Sequence, residues 1–188
     1  RICFSENDYL PGLIIDYFNG NTSQVFVVQI LTLGMHHFIS DAMEMIKKVV
    51  LRSLSEGLSQ VSWENTGIVM RNDTKIREKE GLVVSVPQVL KSISGVDLKD
   101  FPIYLEHFYL KEKISLTANL ADGQKTGFFL DQNYNLLRTA ELFSQYVKFK
   151  KPQKVRVLDI CCHLGQWSLY FGMLLKKLNI EAEFVLLD

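Results

Sequence analysis

The chain has 188 residues, of which 47% are hydrophobic and 22% are charged, a composition typical of a soluble globular protein with one large or two small domains. Its 21 basic and 21 acidic residues cancel, so no global positive field indicates a nucleic-acid partner, and RNA binding would need a local patch. The three cysteines do not indicate a disulfide framework and favour a reducing cytoplasm. Because the sequence has neither a membrane-spanning run nor a signal peptide, we expect no membrane partner.

The first 120 residues predict a small α+β domain, which begins with a hairpin and a helix. Apolar strand patterns at 13–17 and 25–31 flank the turn dipeptide Asn19-Gly20, which predicts a β-hairpin. From Asp41 onward apolar residues recur at helical spacing, and Asp41 and Glu44 form a capping-box-like pair. We expect the methionines of this helix to fill the core.

The rest of this domain shows alternating strand and turn patterns. A strand is predicted at 67–71, followed by Asn72-Asp73-Thr74, which we expect to cap a short helix at 75–80 with a solvated charged face. Two further strand-like runs at 103–110 and 113–120 predict a second hairpin. The domain is therefore predicted to span residues 1–120.

Residues 121–188 predict a helix and then a strand–turn–helix–strand unit. Asp131 is a plausible N-cap of the first helix, whose apolar face is predicted to contain Leu136, Ala140, Phe143 and Val147. A buried strand at 155–160, a helix at 166–177 and a strand ending at Asp188 follow. This order is typical of the first half of a doubly wound α/β sheet, in which ligands bind at the carboxyl ends of the strands.

Two acids at strand ends discriminate between ligands for that sheet. Asp188 is placed to accept hydrogen bonds from ribose hydroxyls. A dinucleotide site would need a Gly-x-Gly-x-x-Gly turn, but Gly165 stands alone and Asp159 brings a negative charge that opposes phosphate. The Walker A pattern is absent as well. A cationic ligand without phosphate, such as S-adenosylmethionine, suits this turn better than NAD does.

Two other groups of polar residues have simpler interpretations. His36 and His37 have no Cys, His or carboxylate at ligand spacing, so we expect no metal site there. The basic run that follows the helix predicted beyond Asp131 favours a solvated helix end over RNA contact, because cations complement the helix dipole. These basic residues are Lys148, Lys150, Lys151, Lys154 and Arg156.

The segment 122–132 reads DGQKTGFFLDQ, and it combines two glycines with adjacent phenylalanines. Such a run needs a special backbone and a ligand or partner nearby, or else forms a buried hinge between domains. It resembles the GQKTGFFLDQR motif of the S-adenosylmethionine-dependent 23S ribosomal RNA methyltransferases of the large-subunit methyltransferase I kind. Residues 71–82 resemble the RND…RELEGL element of that family, and residues 157–168 resemble its VLNLFCYTGGFS turn.

The resemblance implies a bacterial enzyme that transfers a methyl group from S-adenosylmethionine to 23S rRNA, with cytosine C5 as the leading target. It implies a central α+β domain followed, over 121–188, by the first part of a Rossmann-like cofactor domain. We expect the chain to be a fragment, with a PUA domain before Arg1 and the catalytic residues beyond Asp188. The implied cofactor contacts are Thr126, Phe128, Phe129, Asp131, Asp159, Cys161, His163, Gly165 and Asp188.

The sequence also departs from the family motifs at Asn133, Leu164 and Gln166. These departures motivate an alternative, a non-catalytic RNA-binding or ribosome-assembly protein on a degenerate methyltransferase scaffold. Cys161 and Cys162 are not expected to be the nucleophile that C5 methylation requires, because they lie in the cofactor turn. The sequence leaves an oligomer open.

Overall fold

A computed structural model of the chain describes residues 1–39, 41–57, 61–107 and 111–188. Its strands are β1 (Cys3–Phe4), β2 (Leu13–Asn19), β3 (Gln24–Ile30), β4 (Thr66–Met70), β5 (Gln88–Lys91), β6 (Phe101–His107), β7 (Glu112–Ala118), β8 (Lys154–Ile160) and β9 (Glu181–Leu187). Its helices are α1 (Leu33–Phe38), α2 (Ala42–Ser55), α3 (Ile76–Lys79), α4 (Gln132–Lys150) and α5 (Gln166–Lys177). The architecture is mixed α and β, as the sequence predicts.

The described residues form two compact units, which are Arg1–Ile103 with Ala118–Phe128, and Tyr104–Thr117 with Phe129–Asp188. The two units do not coincide with the predicted domains 1–120 and 121–188. That domain boundary stays a prediction. Strands β6 and β7 pair as a two-stranded sheet, as predicted for the second hairpin, while residues 108–110 lie outside the described residues.

The first unit is built on a five-stranded sheet with the order β1-β2-β3-β4-β5. Strands β2 and β3 pair antiparallel, from Leu13 opposite Ile30 to Asn19 opposite Gln24, which confirms the predicted hairpin. Strand β4 then runs parallel to β3, and every residue of these two central strands is buried. Burial on both faces explains their continuous apolar sequence.

Helix α2 covers one face of this sheet. The side chain of Asp41 accepts a hydrogen bond of 2.9 Å from the backbone N–H of Glu44, which confirms the predicted N-cap. The buried residues of α2 are Ala42, Ile46 and Val50. The prediction that the methionines of this helix lie in the core is wrong for Met43, which is exposed because the buried stripe runs through Ala42 instead.

The short helix α3 is held differently from the prediction. No side chain caps its N-terminus, because Asn72 Oδ1 instead accepts the backbone N–H of Ile30 at 2.9 Å. Arg77 does not lie on a solvated face: it is buried and donates to the backbone carbonyls of Ile30 and Val83. Burial lowers the pKa of its guanidinium. The polar residues of this motif therefore stabilise the end of β3.

The second unit contains the predicted helix and the strand–helix–strand unit. Strands β8 and β9 pair in parallel, from Lys154 opposite Glu181 to Ile160 opposite Leu187, and α5 has the predicted bounds. The buried residues of α4 are Leu136, Ala140, Ser144 and Val147. Phe143 is half-buried, and its ring contacts that of Phe171 edge-on at 5.1 Å.

Strand β8 differs from the predicted buried strand. Leu158 and Ile160 are 58% and 64% exposed, because α5 packs against only one face of the two strands in the described part of the chain. Alternate residues of a strand point to opposite faces, so these two side chains lie on the face away from α5.

None of the described helices combines the length and apolar content needed to span a bilayer.

Candidate cofactor site

The glycines of the DGQKTGFFLDQ segment are required by close backbone packing. Gly127 has a φ of +100°, and a Cβ at this position would lie 2.4 Å from the carbonyl oxygen of Asn119. A Cβ at Gly123 would lie 2.3 Å from the same oxygen. Both approaches are too short for a side chain, so this tight turn accepts only glycine at the two positions.

Thr126 anchors the turn to the sheet of the first unit. Its side chain is buried, and its hydroxyl donates a hydrogen bond of 2.5 Å to Asp16 Oδ2 on β2. Asp16 is fully buried and also accepts two hydrogen bonds from the guanidinium of Arg1, at 2.6 and 2.9 Å. Sequence reasoning missed Asp16, because no local pattern links two residues 110 positions apart. The predicted cofactor contact of Thr126 stays a prediction, as does that of the buried Phe128.

The turn between β8 and α5 has an unusual backbone. Cys161, His163 and Gly165 have φ values of +60°, +48° and +70°, so every second residue is left-handed. Gly165 is also the N-cap residue of α5. Cys162 is tied to the neighbouring strand, since its backbone N–H donates to the carbonyl of Leu187 at 3.0 Å. Left-handed conformations of non-glycine residues are costly and concentrate at functional sites.

Both predicted acids lie against this turn. Asp159 is in β8, and its Oδ2 accepts a hydrogen bond of 2.7 Å from the hydroxyl of Ser168 in α5. Asp188 follows β9, and its Oδ1 accepts the backbone N–H of His163 at 3.2 Å. The structure therefore brings Asp159, His163 and Asp188 together at the carboxyl ends of two parallel strands. Ser168, which contacts Asp159, was not among the predicted site residues.

The second phenylalanine of the DGQKTGFFLDQ segment reaches this turn. The rings of Phe129 and His163 contact edge to face, with 5.2 Å between centroids and 80° between planes. Asp131 is exposed at the N-cap position of α4, but its side chain makes no capping hydrogen bond, because its backbone is already helical. The predicted N-cap position is therefore right, while the predicted side-chain cap is wrong.

The local electrostatics oppose negative charge at the turn. Burial is the main cause that raises the pKa of the Cys162 thiol, and the carboxylates of Asp188 and Asp159 raise it further. A thiolate nucleophile at Cys162 is therefore disfavoured, as would be a phosphate group. Within the described ranges, no group of three or more His, Cys, Asp and Glu residues is placed to hold a metal ion.

The two cysteines of the turn are expected to differ in reactivity. At pH 8, iodoacetamide should modify the exposed Cys161 at least about tenfold faster than the buried Cys162, whose raised pKa leaves little thiolate. Fragment-ion mass spectrometry distinguishes the adjacent sites. The substitution Asp188→Asn should accelerate the modification of Cys162 by iodoacetamide, because it removes a charge that raises the pKa of this thiol. Equal rates for both cysteines in the unmodified chain would contradict this description.

Comparison with known proteins identifies relatives over most of the sequence. The chain is 32% identical, over 90% of its length, to a Methanocaldococcus jannaschii protein that is provisionally named a ribosomal RNA large subunit methyltransferase. It is 28% identical over 90% of its length to ribosomal RNA large subunit methyltransferase I of Aeromonas hydrophila, and 29% identical over 90% to that of Shewanella frigidimarina. The chain is thus related in sequence, over 90% of its length, to part of these large subunit methyltransferases. The resemblance predicted from the three motifs is thus confirmed.

The similarity covers only part of each large subunit methyltransferase. The chain spans 34% of the length of these three relatives. No family model and no solved structure matches the chain. The similarity therefore supports a relationship to one part of these methyltransferases.

Proposed function

We propose that the chain is part of an S-adenosylmethionine-dependent methyltransferase of the cytoplasm that modifies a base of 23S rRNA. Cytosine C5 is the leading target. The names of the relatives support the reaction class and the substrate. The observation that carries the proposal is the pair of carboxylates, Asp159 and Asp188, held at the turn between β8 and α5.

The residues of this turn fit S-adenosylmethionine better than a dinucleotide. The two acids favour a cationic ligand, and the fingerprint of glycines that lets a pyrophosphate approach is missing. Gly165 leaves room beside the helix start, because a Cβ there would meet its nearest atom, in Leu186, only at 3.6 Å. This arrangement supports the proposal that residues 121–188 begin a Rossmann-like class I methyltransferase domain.

Within the proposed site, Asp188 would accept hydrogen bonds from the ribose hydroxyls, since its carboxylate is exposed beyond its bond to His163. Asp159 would orient the turn through Ser168 and contribute negative charge. Cys161, His163 and Gly165 would supply backbone contacts. The bound cofactor supplies an electrophilic methyl group. Contacts from Thr126, Phe128, Phe129 and Asp131 toward its methionine end remain part of the proposal.

The choice of target atom requires groups that we do not assign to these 188 residues. Methylation at C5 needs a thiolate that adds to C6 of the cytosine ring. Cys162 is poorly suited to this role, because burial and two neighbouring carboxylates raise its pKa. We therefore propose that the nucleophile is supplied by another part of the full-length protein.

The decisive test is methyl transfer by the full-length protein. Unmodified 23S rRNA, transcribed in vitro, is incubated with S-adenosylmethionine carrying a labelled methyl group, and the product nucleoside is identified by mass spectrometry. We expect label in 5-methylcytidine. Label in another nucleoside would overturn the choice of C5. If a folded protein neither transfers label nor binds S-adenosylhomocysteine, the non-catalytic RNA-binding alternative replaces the enzyme.

A further inference from the structure

The outward face of α4 carries exposed aromatic side chains. Tyr134, Tyr146 and Phe149 are 74%, 55% and 81% exposed, and Leu142 lies between them, more than half exposed. A scattered exposed aromatic residue is ordinary, but a row along one helix marks an interaction surface. We call these four residues, together with Arg138, the aromatic stripe of α4.

The geometry of the helix places the stripe on a single face. With 3.6 residues per turn, its five members fall within about 120° of the helix circumference. The buried residues Leu136, Ala140 and Val147 lie on the opposite side. Tyr134 and Phe149, at the two ends of the stripe, are 15 positions apart, or about 22 Å along the axis at 1.5 Å per residue. It is therefore a continuous strip that does not contribute to the core.

The charge around the stripe is positive. Glu141 is the only acid in α4, and it pairs with Arg138. Lys148, Lys150 and Lys151 cluster at the end of the helix, where Lys150 Nζ lies 5.3 Å from the centre of the Phe149 ring.

The remaining two members of the basic run are placed differently. Lys154 pairs with Glu181 at 2.9 Å, and Arg156 lies 3.5 Å from Glu183. These glutamates offset their positive charge. The net positive charge of the run is therefore concentrated at the end of α4.

We propose that the aromatic stripe of α4, together with Lys148, Lys150 and Lys151, binds single-stranded RNA. Unpaired bases stack on aromatic rings, and lysines contact the phosphates, which is the usual chemistry of single-strand recognition. A protein partner would need acidic side chains to complement the lysines, whereas every nucleotide of RNA carries a negatively charged phosphate. The inference rests on the proposed function only for the identity of the RNA as ribosomal.

The test measures RNA binding and cofactor binding on the same full-length protein. The probe is a fluorescein-labelled 12-nucleotide oligouridylate, followed by anisotropy. Replacing Tyr134, Tyr146 and Phe149 singly with alanine should weaken binding about fivefold or more for each ring. Replacing Lys148, Lys150 and Lys151 together with glutamine should reduce the slope of log K against log salt by about 2. Calorimetric binding of S-adenosylhomocysteine should be unchanged in all variants.

Matched controls come from exposed aromatic residues elsewhere. Tyr9→Ala and Phe38→Ala remove side chains that are 92% and 78% exposed, similar to the aromatic residues of the stripe, and they should leave RNA affinity unchanged. Tyr146→Phe keeps a ring and should retain binding.

The outcomes separate this inference from the proposed function. If the unmodified protein binds the oligonucleotide but not S-adenosylhomocysteine, the proposed methyltransferase function is contradicted and the RNA-binding inference is supported. Unchanged RNA affinity after all three alanine substitutions would overturn the inference. If those substitutions instead dissociate an oligomer in sedimentation, the stripe is a protein contact.

Discussion

Replacing Asp188 with alanine is expected to weaken S-adenosylhomocysteine binding by the full-length protein by about 10- to 100-fold, as measured by calorimetric titration. A carboxylate that accepts hydrogen bonds from two ribose hydroxyls contributes about 1.5–3 kcal/mol, and this energy corresponds to that loss of affinity. The alanine variant also loses the bond to the backbone N–H of His163, which positions the turn. Both effects act in the same direction.

Two variants test the specificity of this result. Asp188→Asn keeps a hydrogen-bond acceptor but loses the charge. Its affinity for S-adenosylhomocysteine should therefore lie between that of the alanine variant and that of the unmodified protein. Glu183→Gln removes an exposed acid from the same strand, and it should leave the affinity unchanged because this residue lies at the opposite end of β9 from the turn. NAD should bind to none of these proteins. Equal affinity of the Asp188→Ala variant and the unmodified protein would rule out the proposed ribose contact.

Replacing Asp16 with alanine is expected to lower the free energy of unfolding by about 3 kcal/mol, as measured by urea denaturation. Asp16 is fully buried and accepts hydrogen bonds from both Thr126 and Arg1. Its removal leaves the buried hydroxyl of Thr126 without this acceptor and deprives the partly exposed Arg1 of its ionic partner. Asp16→Asn should lower the free energy of unfolding by less, because an amide oxygen still accepts a hydrogen bond from Thr126. This variant can be measured if the alanine variant does not fold.

The role of Thr126 follows from a companion series. Thr126→Val removes the hydroxyl, and Asp16 then accepts one hydrogen bond fewer. We expect the free energy of unfolding to fall by about 1–2 kcal/mol, whereas Thr126→Ser should leave it nearly unchanged. A double-mutant cycle with Asp16 isolates the coupling between the two side chains. A Thr126→Val variant with unchanged stability but weaker S-adenosylhomocysteine binding would instead assign Thr126 to the cofactor. Such a result would contradict the anchoring role.

Local patterns predicted the elements that local physics controls. The Asn19-Gly20 turn and its flanking apolar runs produced the first hairpin, and Asp41 capped α2 as expected. The bounds of α5 were also predicted correctly. Turn type, capping and hydrophobic period depend on residues within a few positions of one another, so they can be read from the sequence.

Predictions failed where a distant part of the chain competed for a side chain. The run Asn72-Asp73-Thr74 was expected to cap α3, but no side chain caps this helix, and Asn72 accepts the N–H of Ile30, 42 residues away. Arg77 was expected on a solvated face, yet its guanidinium is buried against the same strand end. A buried backbone group at the end of a strand needs a hydrogen-bond partner, and this need outweighs the local preference for a cap.

The sequence by itself indicated the resemblance to a methyltransferase family, the order of the main strands and helices, and the position of two acids at the ends of parallel strands. Only the tertiary structure decided what those acids and their neighbours contact, including Ser168 for Asp159 and Asp16 for Thr126. It also decided that aromatic side chains cover the outward face of α4. The reason is physical: periodicity and turns are properties of neighbouring residues, whereas partners and exposed faces depend on how separate segments pack together.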